Sequence, residues 1–393
     1  MKGTPRVALF ADSFLEVNGV ALTCRKLAEH AQRRGLPLLV VHAGASTGVE
    51  AAGNLWRFSL ATSAAHLDLE NDLRFDLLFG RHLARVRKAL VDFGAGMVHL
   101  TGPNHTGFLG AIAARRLALP VVMSWHTNVH DYAAWRLPGW TPAPAREAAR
   151  RWSWRGLTLY YRQARLILAP NRAVGEALER ATGKPVRLML RGVDCELFHP
   201  RKRARADRVF VAGYVGRLSP EKCVRALREV ALAFLALGEV DFRIEFVGEG
   251  SERAWLEKHV PQARFHGVLR GEELARAYAN FDVFVFPSRT DTYGNAVQEA
   301  MASGVPCLVT DEGGPAALVT DAVTGRVCRT VDQMAAAAVD LARRPEWRHK
   351  MGGAARRAAE ERSWESVGRA VWDAYAAALA LPAQRGIEAC CVA

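Results

Sequence analysis

Short apolar runs and helix-length stretches alternate through the first half of this chain, break off, and then begin again. Few folds accept such a rhythm, because parallel strands need a long crossover between them and that crossover is usually a helix. Residues 7–11 form a short apolar run, and Asn18-Gly19 then turns into a helix reaching about Arg34, where Gly35 ends it. Further strands are predicted at 37–42, 97–100, 120–124 and 165–169, with helical stretches such as 107–119 and 173–182 between them. Residues 200–208 (Pro-Arg-Lys-Arg-Ala-Arg-Ala-Asp-Arg) are a charged break and the best linker candidate. After it come strands at 209–215, 242–247, 281–286 and 307–310, with helices at 224–237, 253–259 and 296–303. The reading is an α/β chain of two doubly wound domains with a cleft between them, residues 1–200 and 209–364. A last helix follows within 365–381.

Length and composition agree with this. At 393 residues, each of two domains can bury its own core. Half the residues are hydrophobic and 24% are charged, the balance of an ordinary soluble protein. No apolar run approaches the ~18 residues that would span a bilayer. Met1-Lys2-Gly3 leads straight into a strand rather than a signal peptide, so a cytoplasmic location is expected. Seven scattered cysteines suit reduced thiols better than a disulfide framework. Cys390-Cys391 resembles a prenylation box only superficially and reads as a frayed tail. The net charge of +13 suits anionic lipid or a phosphorylated substrate. No zinc finger, RNA-recognition motif or helix-turn-helix is present, so nucleic acid is not an expected partner.

The stretch from Phe286 to Pro306 carries the chemistry. It starts where the apolar run 283–286 stops at a proline, just past a predicted strand, which is where open α/β sheets bind ligands. Gly294 turns it into a short helix that Gly304 and Pro306 end. Asp291 then lies on the loop and Glu299 about a turn inside the helix, with the N–H groups of Thr292, Tyr293, Gly294 and Asn295 between them. Helix N-termini favour phosphate, and carboxylates accept from sugar hydroxyls. The combination suits a sugar nucleotide.

This segment resembles the E-x7-E motif of the retaining glycosyltransferases of family 4, here D-x7-E, with the first acid one methylene shorter. Similar matches, in order, are Asn18-Gly19-Val20, His126-Thr127-Asn128, Arg191-Gly192-Val193-Asp194, Gly216-Arg217-Leu218 with Glu221-Lys222, and Val247-Gly248-Glu249-Gly250. They cover nearly the whole chain, and the glycolipid-forming and mannose-transferring members look nearest. The resemblance implies the GT-B fold of two Rossmann-like domains, with the closing helix packing back on the first. It also implies transfer of a hexose from a UDP- or GDP-linked donor to a hydroxyl acceptor. By the same resemblance His126, Arg217, Lys222 and Asp291 are the catalytic candidates. Gly19, Arg217, Lys222, Val268, Asp291, Thr292, Tyr293, Gly294, Asn295 and Glu299 would hold the donor.

Chemistry supports these roles. Arg217 can fork onto two phosphate oxygens while Lys222 adds a point charge against the developing diphosphate. Gly19, without a Cβ, allows close backbone approach, and Asn18 holds the turn without a catalytic role. The resemblance also implies that His126 lies near the transferred sugar, whereas His130 has no matching claim. Glu299 would accept from the ribose hydroxyls and Asp291 from the hexose. Phe265-His266-Gly267-Val268 resembles a base-binding turn, and Arg270 stands where some guanine-reading members carry an acid. No D-x-D, H-x-x-x-H or C-x-x-C motif is present, so no metal and no other cofactor is expected. Retention fits front-face attack, with covalent double displacement as the alternative.

On the acceptor side, residues 125–162 are dense in Trp125, Trp135, Trp140, Trp152 and Trp154, among Arg136, Arg146, Arg150, Arg151, Arg155 and Arg162. Trp with Arg suits a membrane interface and hence a lipid acceptor, with peripheral contact to an anionic membrane. The same residues suit a packed core with a solvated face. The principal reading is a glycosyltransferase. A sugar-nucleotide epimerase of the same fold and a non-catalytic sugar-nucleotide binder stand as alternatives, the latter motivated by Asp291 and Asn128.

Overall fold

The computed structural model describes residues 4–16, 18–70, 73–126 and 140–382. It divides into two compact units, Met1–Leu190 with Trp364–Ala393, and Arg191–Ser363. The first unit holds strands β1 (Val7–Ala11), β2 (Leu38–Gly44), β3 (Gly48–Ala52), β4 (Leu55–Ala61), β5 (His66–Glu70), β6 (Leu73–Asp76), β7 (Met97–Leu100), β8 (Val121–Ser124), β9 (Leu166–Ala169) and β10 (Val186–Leu188). The second holds β11 (Phe210–Val215), β12 (Phe242–Val247), β13 (Ala263–Phe265), β14 (Val283–Phe286), β15 (Cys307–Thr310) and β16 (Gly325–Cys328). Helices α1 (Gly19–Arg34), α2 (Leu83–Phe93), α3 (His105–Arg116), α4 (Ala143–Tyr161) and α5 (Arg172–Thr182) belong to the first unit. Helices α6 (Leu227–Leu237), α7 (Arg253–His259), α8 (Gly271–Ala279), α9 (Asn295–Ala302), α10 (Val331–Arg343) and α11 (Pro345–Glu360) belong to the second, and α12 (Trp364–Ala380) returns to the first.

The first sheet runs β10-β9-β8-β7-β1-β2-β4-β3, parallel except for the β3/β4 hairpin. Alternate residues of β1 feed two cores. Val7, Leu9 and Ala11 pack with Cys24 and Leu27 of α1 and with Val371, Trp372 and Tyr375 of α12. Ala8 and Phe10 pack with Leu90 and Phe93 of α2 and Leu109 of α3. Burial on both faces is why the strand reads as an unbroken apolar run. Asparagines start α1, α3 and α5: Asn18 accepts from the N–H groups of Val20 and Ala21, Asn104 from Gly107, and Asn171 from Val174. Gly35 closes α1 at φ 64°, a left-handed conformation glycine adopts without cost.

The second sheet is wholly parallel, in the order β13-β12-β11-β14-β15-β16. Strand order therefore reverses between β11 and β14, and such a switch point opens a crevice at the carboxyl ends of the strands.

The linker expectation at 200–208 is corrected. Arg203 and Arg205 bond the carboxylate of buried Asp282 at 2.9 and 3.2 Å, and the N–H groups of Ala204 and Arg205 donate to Asn280. A buried carboxylate needs charged partners, and these arginines supply them, so the charged run is strapped to the second unit. The units part instead at Leu190/Arg191 and at Ser363/Trp364. Cys24, Cys195, Cys223, Cys307 and Cys328 are free thiols. Cys390 and Cys391 lie outside the described residues.

Candidate active site

The switch point of the second unit is bridged by charge. Lys222 closes a short 3-10 turn (Pro220–Lys222) in the connection after β11. Asp291 lies on the loop after β14, and Lys222 Nζ reaches both its carboxylate oxygens, at 2.8 and 2.9 Å. Both side chains keep some contact with solvent, 15% and 22% exposed. Asp291 thus has a role the sequence did not suggest, as counter-ion to the lysine. Cys223, next to Lys222, takes φ 53°, a strained conformation for a residue with a Cβ. Arg217, 55% exposed, lies 3.8 Å from Glu221, whose carboxylate also accepts from Ser219.

Two glycine loops pack directly on one another here. A Cβ on Gly248 would meet the Gly216 carbonyl at 2.0 Å, and one on Gly250 the Leu218 carbonyl at 2.1 Å. Only glycine allows the β12 loop to lie this close to the loop carrying Arg217.

Helix α9 begins at Asn295, one residue earlier than expected, with Gly294 as its N-cap at φ 100°. Gln298 N–H is already taken by the Gly294 carbonyl, so the N–H groups of Asn295, Ala296 and Val297 open the helix. Glu299 follows in the second turn and accepts from Tyr278 Oη at 2.9 Å. Glu299 is half-buried by area, but the protein crowded around its carboxyl group pushes its pKa up to about 7. The Tyr278 hydrogen bond opposes this and is outweighed. Tyr293 stands just before the Gly294 cap. Its ring is 2% exposed and its hydroxyl donates to the Arg191 carbonyl at 2.8 Å, so the side chain anchors the loop and only its backbone can face a ligand. Thr292 is half-buried beside it, and the Gly313-Gly314 turn lies against the Asp291 and Thr292 carbonyls. Val268 is 58% exposed on the turn after β13, where the Gly267 carbonyl accepts from Gly248 N–H at 2.7 Å.

In the first unit, Gly19 is the first residue of α1, beyond the end of β1. His126 follows β8 and is buried, its Nε2 lying 2.7 Å from Ser124 Oγ. Thr127, Asn128, His130, Trp135 and Arg136 lie outside the described residues. The tryptophan-rich stretch divides. Trp125 and Trp154 pack edge to face with ring centroids 5.7 Å apart, whereas Trp140 and Trp152 are 83% and 70% exposed. Among the described residues no cluster of three His, Cys, Asp or Glu side chains is placed to hold a metal ion.

Sequence reasoning missed Tyr278, which has no motif and meets Glu299 only because α8 packs against α9. It also missed Ser124 and His99. Ser124 had a visible clue: it lies two residues before His126 at a strand end, on the same side of the chain.

Comparison with known proteins accords with this geometry. Residues 17–197 match the family model described as Glycosyltransferase Family 4, and residues 209–344 the one described as Glycosyl transferases group 1. A GDP-mannose-dependent alpha-mannosyltransferase of Mycobacterium tuberculosis is 36% identical over 374 residues, 92% of this chain and 94% of the relative. One of the same name from Corynebacterium glutamicum is 31% identical over 387 residues, 96% of this chain and 90% of the relative. In fold, sucrose-phosphate synthase of Thermosynechococcus elongatus matches with a TM-score of 0.73 at 18% identity, over 96% of this chain and 99% of that one. The chain belongs to glycosyltransferase family 4, a GT-B enzyme that transfers a hexosyl group from a nucleotide-sugar donor.

Proposed function

We propose that the enzyme transfers mannose from GDP-mannose, with retention of configuration, to a hydroxyl of a lipid or lipid-linked glycan. The observation that carries the donor site is the Lys222–Asp291 pair across the β11/β14 switch point, with Glu299 in the adjoining helix. The names of the two mannosyltransferase relatives support mannose and GDP over a UDP-linked donor. Within the second unit Arg217, Lys222 and the N–H groups that open α9 face the diphosphate, Glu299 the ribose and Asp291 the hexose; for His126 a contact with the hexose is what the family resemblance implies. Val268, Thr292, Gly294 and Asn295 contribute backbone, Gly19 does so only as the family resemblance implies, and the exposed Arg270 leaves the base to be held by main chain.

In the transfer, the bond from sugar C1 to the β-phosphate oxygen breaks and a bond from C1 to the acceptor oxygen forms on the same face. The acceptor proton passes to the departing phosphate. Arg217 and Lys222 stabilise the charge gathering there, so no metal ion is required. Lys222 is already oriented by Asp291, which lowers the cost of placing it.

The enzyme acts peripherally at the cytoplasmic face of the cell membrane. Among the described residues no helix is long and apolar enough to cross a bilayer. A cavity of about 610 Å³ is lined by Trp125 and Trp154 together with Arg150, Arg151 and Arg155, which suits an acceptor with an apolar part and an anionic part.

The test is a thermal-shift panel of GDP, UDP, GDP-mannose and UDP-glucose, followed by transfer assays in EDTA. A ligand at ~100 times its dissociation constant stabilises by about 2.7 kcal/mol. A shift with the guanine pair alone is expected. A shift with the uridine pair alone would overturn the GDP assignment, and activity lost in EDTA and regained with Mg²⁺ would overturn metal independence.

A further inference from the structure

Behind His126 lies a chain of buried polar groups that the donor site does not account for. Tyr375 Oη is 2.7 Å from His99 Nδ1, and His99 Nε2 is 2.8 Å from Ser124 Oγ. Ser124 Oγ is in turn 2.7 Å from His126 Nε2. Tyr375, His99 and Ser124 are completely buried, and His126 is nearly so. The chain begins on α12, passes through β7 and ends just beyond β8, so it ties the last described helix to the residue that follows β8.

We infer that Tyr375, His99 and Ser124 form a positioning relay that fixes His126, when neutral, with its proton on Nδ1. The inference rests on the proposed placement of His126 beside the hexose and names the residues that set its hydrogen-bonding sense.

The direction follows from a count of protons. Burial holds the Tyr375 hydroxyl far above its ordinary pKa, so it keeps its proton. The one hydrogen-bond partner of that hydroxyl among the described residues is His99 Nδ1, so Tyr375 donates and Nδ1 accepts. Burial pushes His99 down to about 3, so its ring is neutral and carries a single proton, which must then sit on Nε2. His99 Nε2–H donates to Ser124 Oγ, and the serine proton, whose one acceptor among the described residues is His126 Nε2, is donated onward to it. The neutral His126 ring is left with Nδ1–H. Reversing every bond would leave the Tyr375 hydroxyl proton buried with no acceptor, which costs about 1–3 kcal/mol. Whatever His126 Nδ1 meets, a sugar oxygen included, it therefore meets with an N–H, and the relay blocks the other tautomer, which would present a lone pair.

The test is nitrogen-15 resonance of histidine-labelled full-length enzyme, with the His126 signals assigned by their loss in His126→Gln. A protonated, pyrrole-type Nδ1 and an unprotonated, pyridine-type Nε2 are expected in the unsubstituted protein. In Tyr375→Phe and Ser124→Ala the preference should weaken or invert, and kcat should fall about tenfold with the donor KM nearly unchanged. His99→Gln keeps an oxygen to accept from Tyr375 and an N–H to donate to Ser124, so it should retain most activity, whereas His99→Leu should not. A protonated Nε2 in the unsubstituted enzyme, or an unaltered tautomer in both relay variants, overturns the inference. The expected tautomer together with an unchanged kcat/KM for His126→Ala would keep the relay and remove His126 from the sugar.

Discussion

In the proposed donor site the Lys222–Asp291 pair serves both binding and orientation. If Lys222 holds the diphosphate as proposed, Lys222→Ala should lower kcat/KM about tenfold to hundredfold, since such bonds contribute ~1.5–3 kcal/mol. Because both side chains are partly solvated, the melting temperature should change little; steady-state kinetics beside a melting curve separates the two effects. Unchanged kinetics would move the donor site elsewhere. Glu299 makes a pH prediction with a definite sign. Its pKa near 7 in the free protein means that below neutrality the carboxyl group is protonated and a poorer acceptor for ribose hydroxyls. Nucleotide binding should therefore tighten as pH rises through about 7 and release a proton as it does so. The fold responds oppositely. The unfolded chain loses this proton at about 4.3, so between there and 7 the folded state holds more protons and this group's contribution falls as pH rises. Titration calorimetry at about pH 6 and about pH 8 checks the binding arm, and Glu299→Gln should flatten it.

Helix α4 has two faces of different character. Leu157, Tyr160 and Tyr161 are buried, while Trp152 and Leu159 are 70% and 66% exposed beside Arg151 and Arg155. The Arg155 guanidinium lies 5.4 Å from the Trp152 ring. This face suits the interface of an anionic bilayer, and flotation with anionic liposomes should carry the protein at low salt and release it at high salt. Arg151→Ala with Arg155→Ala should weaken partitioning tenfold or more, at ~1 kcal/mol per basic residue; equal absence from the lipid fraction at both salts would refute the contact. Helix α4 also marks a limit of what the sequence discloses. Strands such as Val7–Ala11 and Phe242–Val247 were legible because both their faces are buried, and α1 was legible between Asn18 and Gly35. Strands β3 to β6 were not, since β3 is exposed throughout and carries no core pattern. In the site, Asp291, Glu299 and Gly294 could be placed from one loop-helix segment. The Lys222–Asp291 bond and the Tyr278 contact join residues 69 and 21 positions apart, and only the folded sheet brings them together.

At the scale of the molecule, the first unit is discontinuous. Val371, Trp372, Ala374, Tyr375 and Ala378 of α12 are buried in its core, and His30 and Arg34 of α1 bond Glu365. A chain ending at Ser363 should therefore lose the first unit. Large aromatic residues contribute ~3–5 kcal/mol each in a core, and two of them rival the ~5–15 kcal/mol that holds a whole domain together. Calorimetry of the truncated chain should show the second unit melting as before and no cooperative transition from the first; two intact transitions would contradict the assignment. The same arrangement sets an order of events at the ribosome. Residues 191–363 must be synthesised before α12 exists, a delay on the order of 10–30 s. Throughout it, the face of β1 and β2 that Trp372 and Tyr375 will cover stays bare. The part of the protein made first is the part completed last, and a nascent chain paused anywhere before Trp364 presents that apolar sheet face to chaperones.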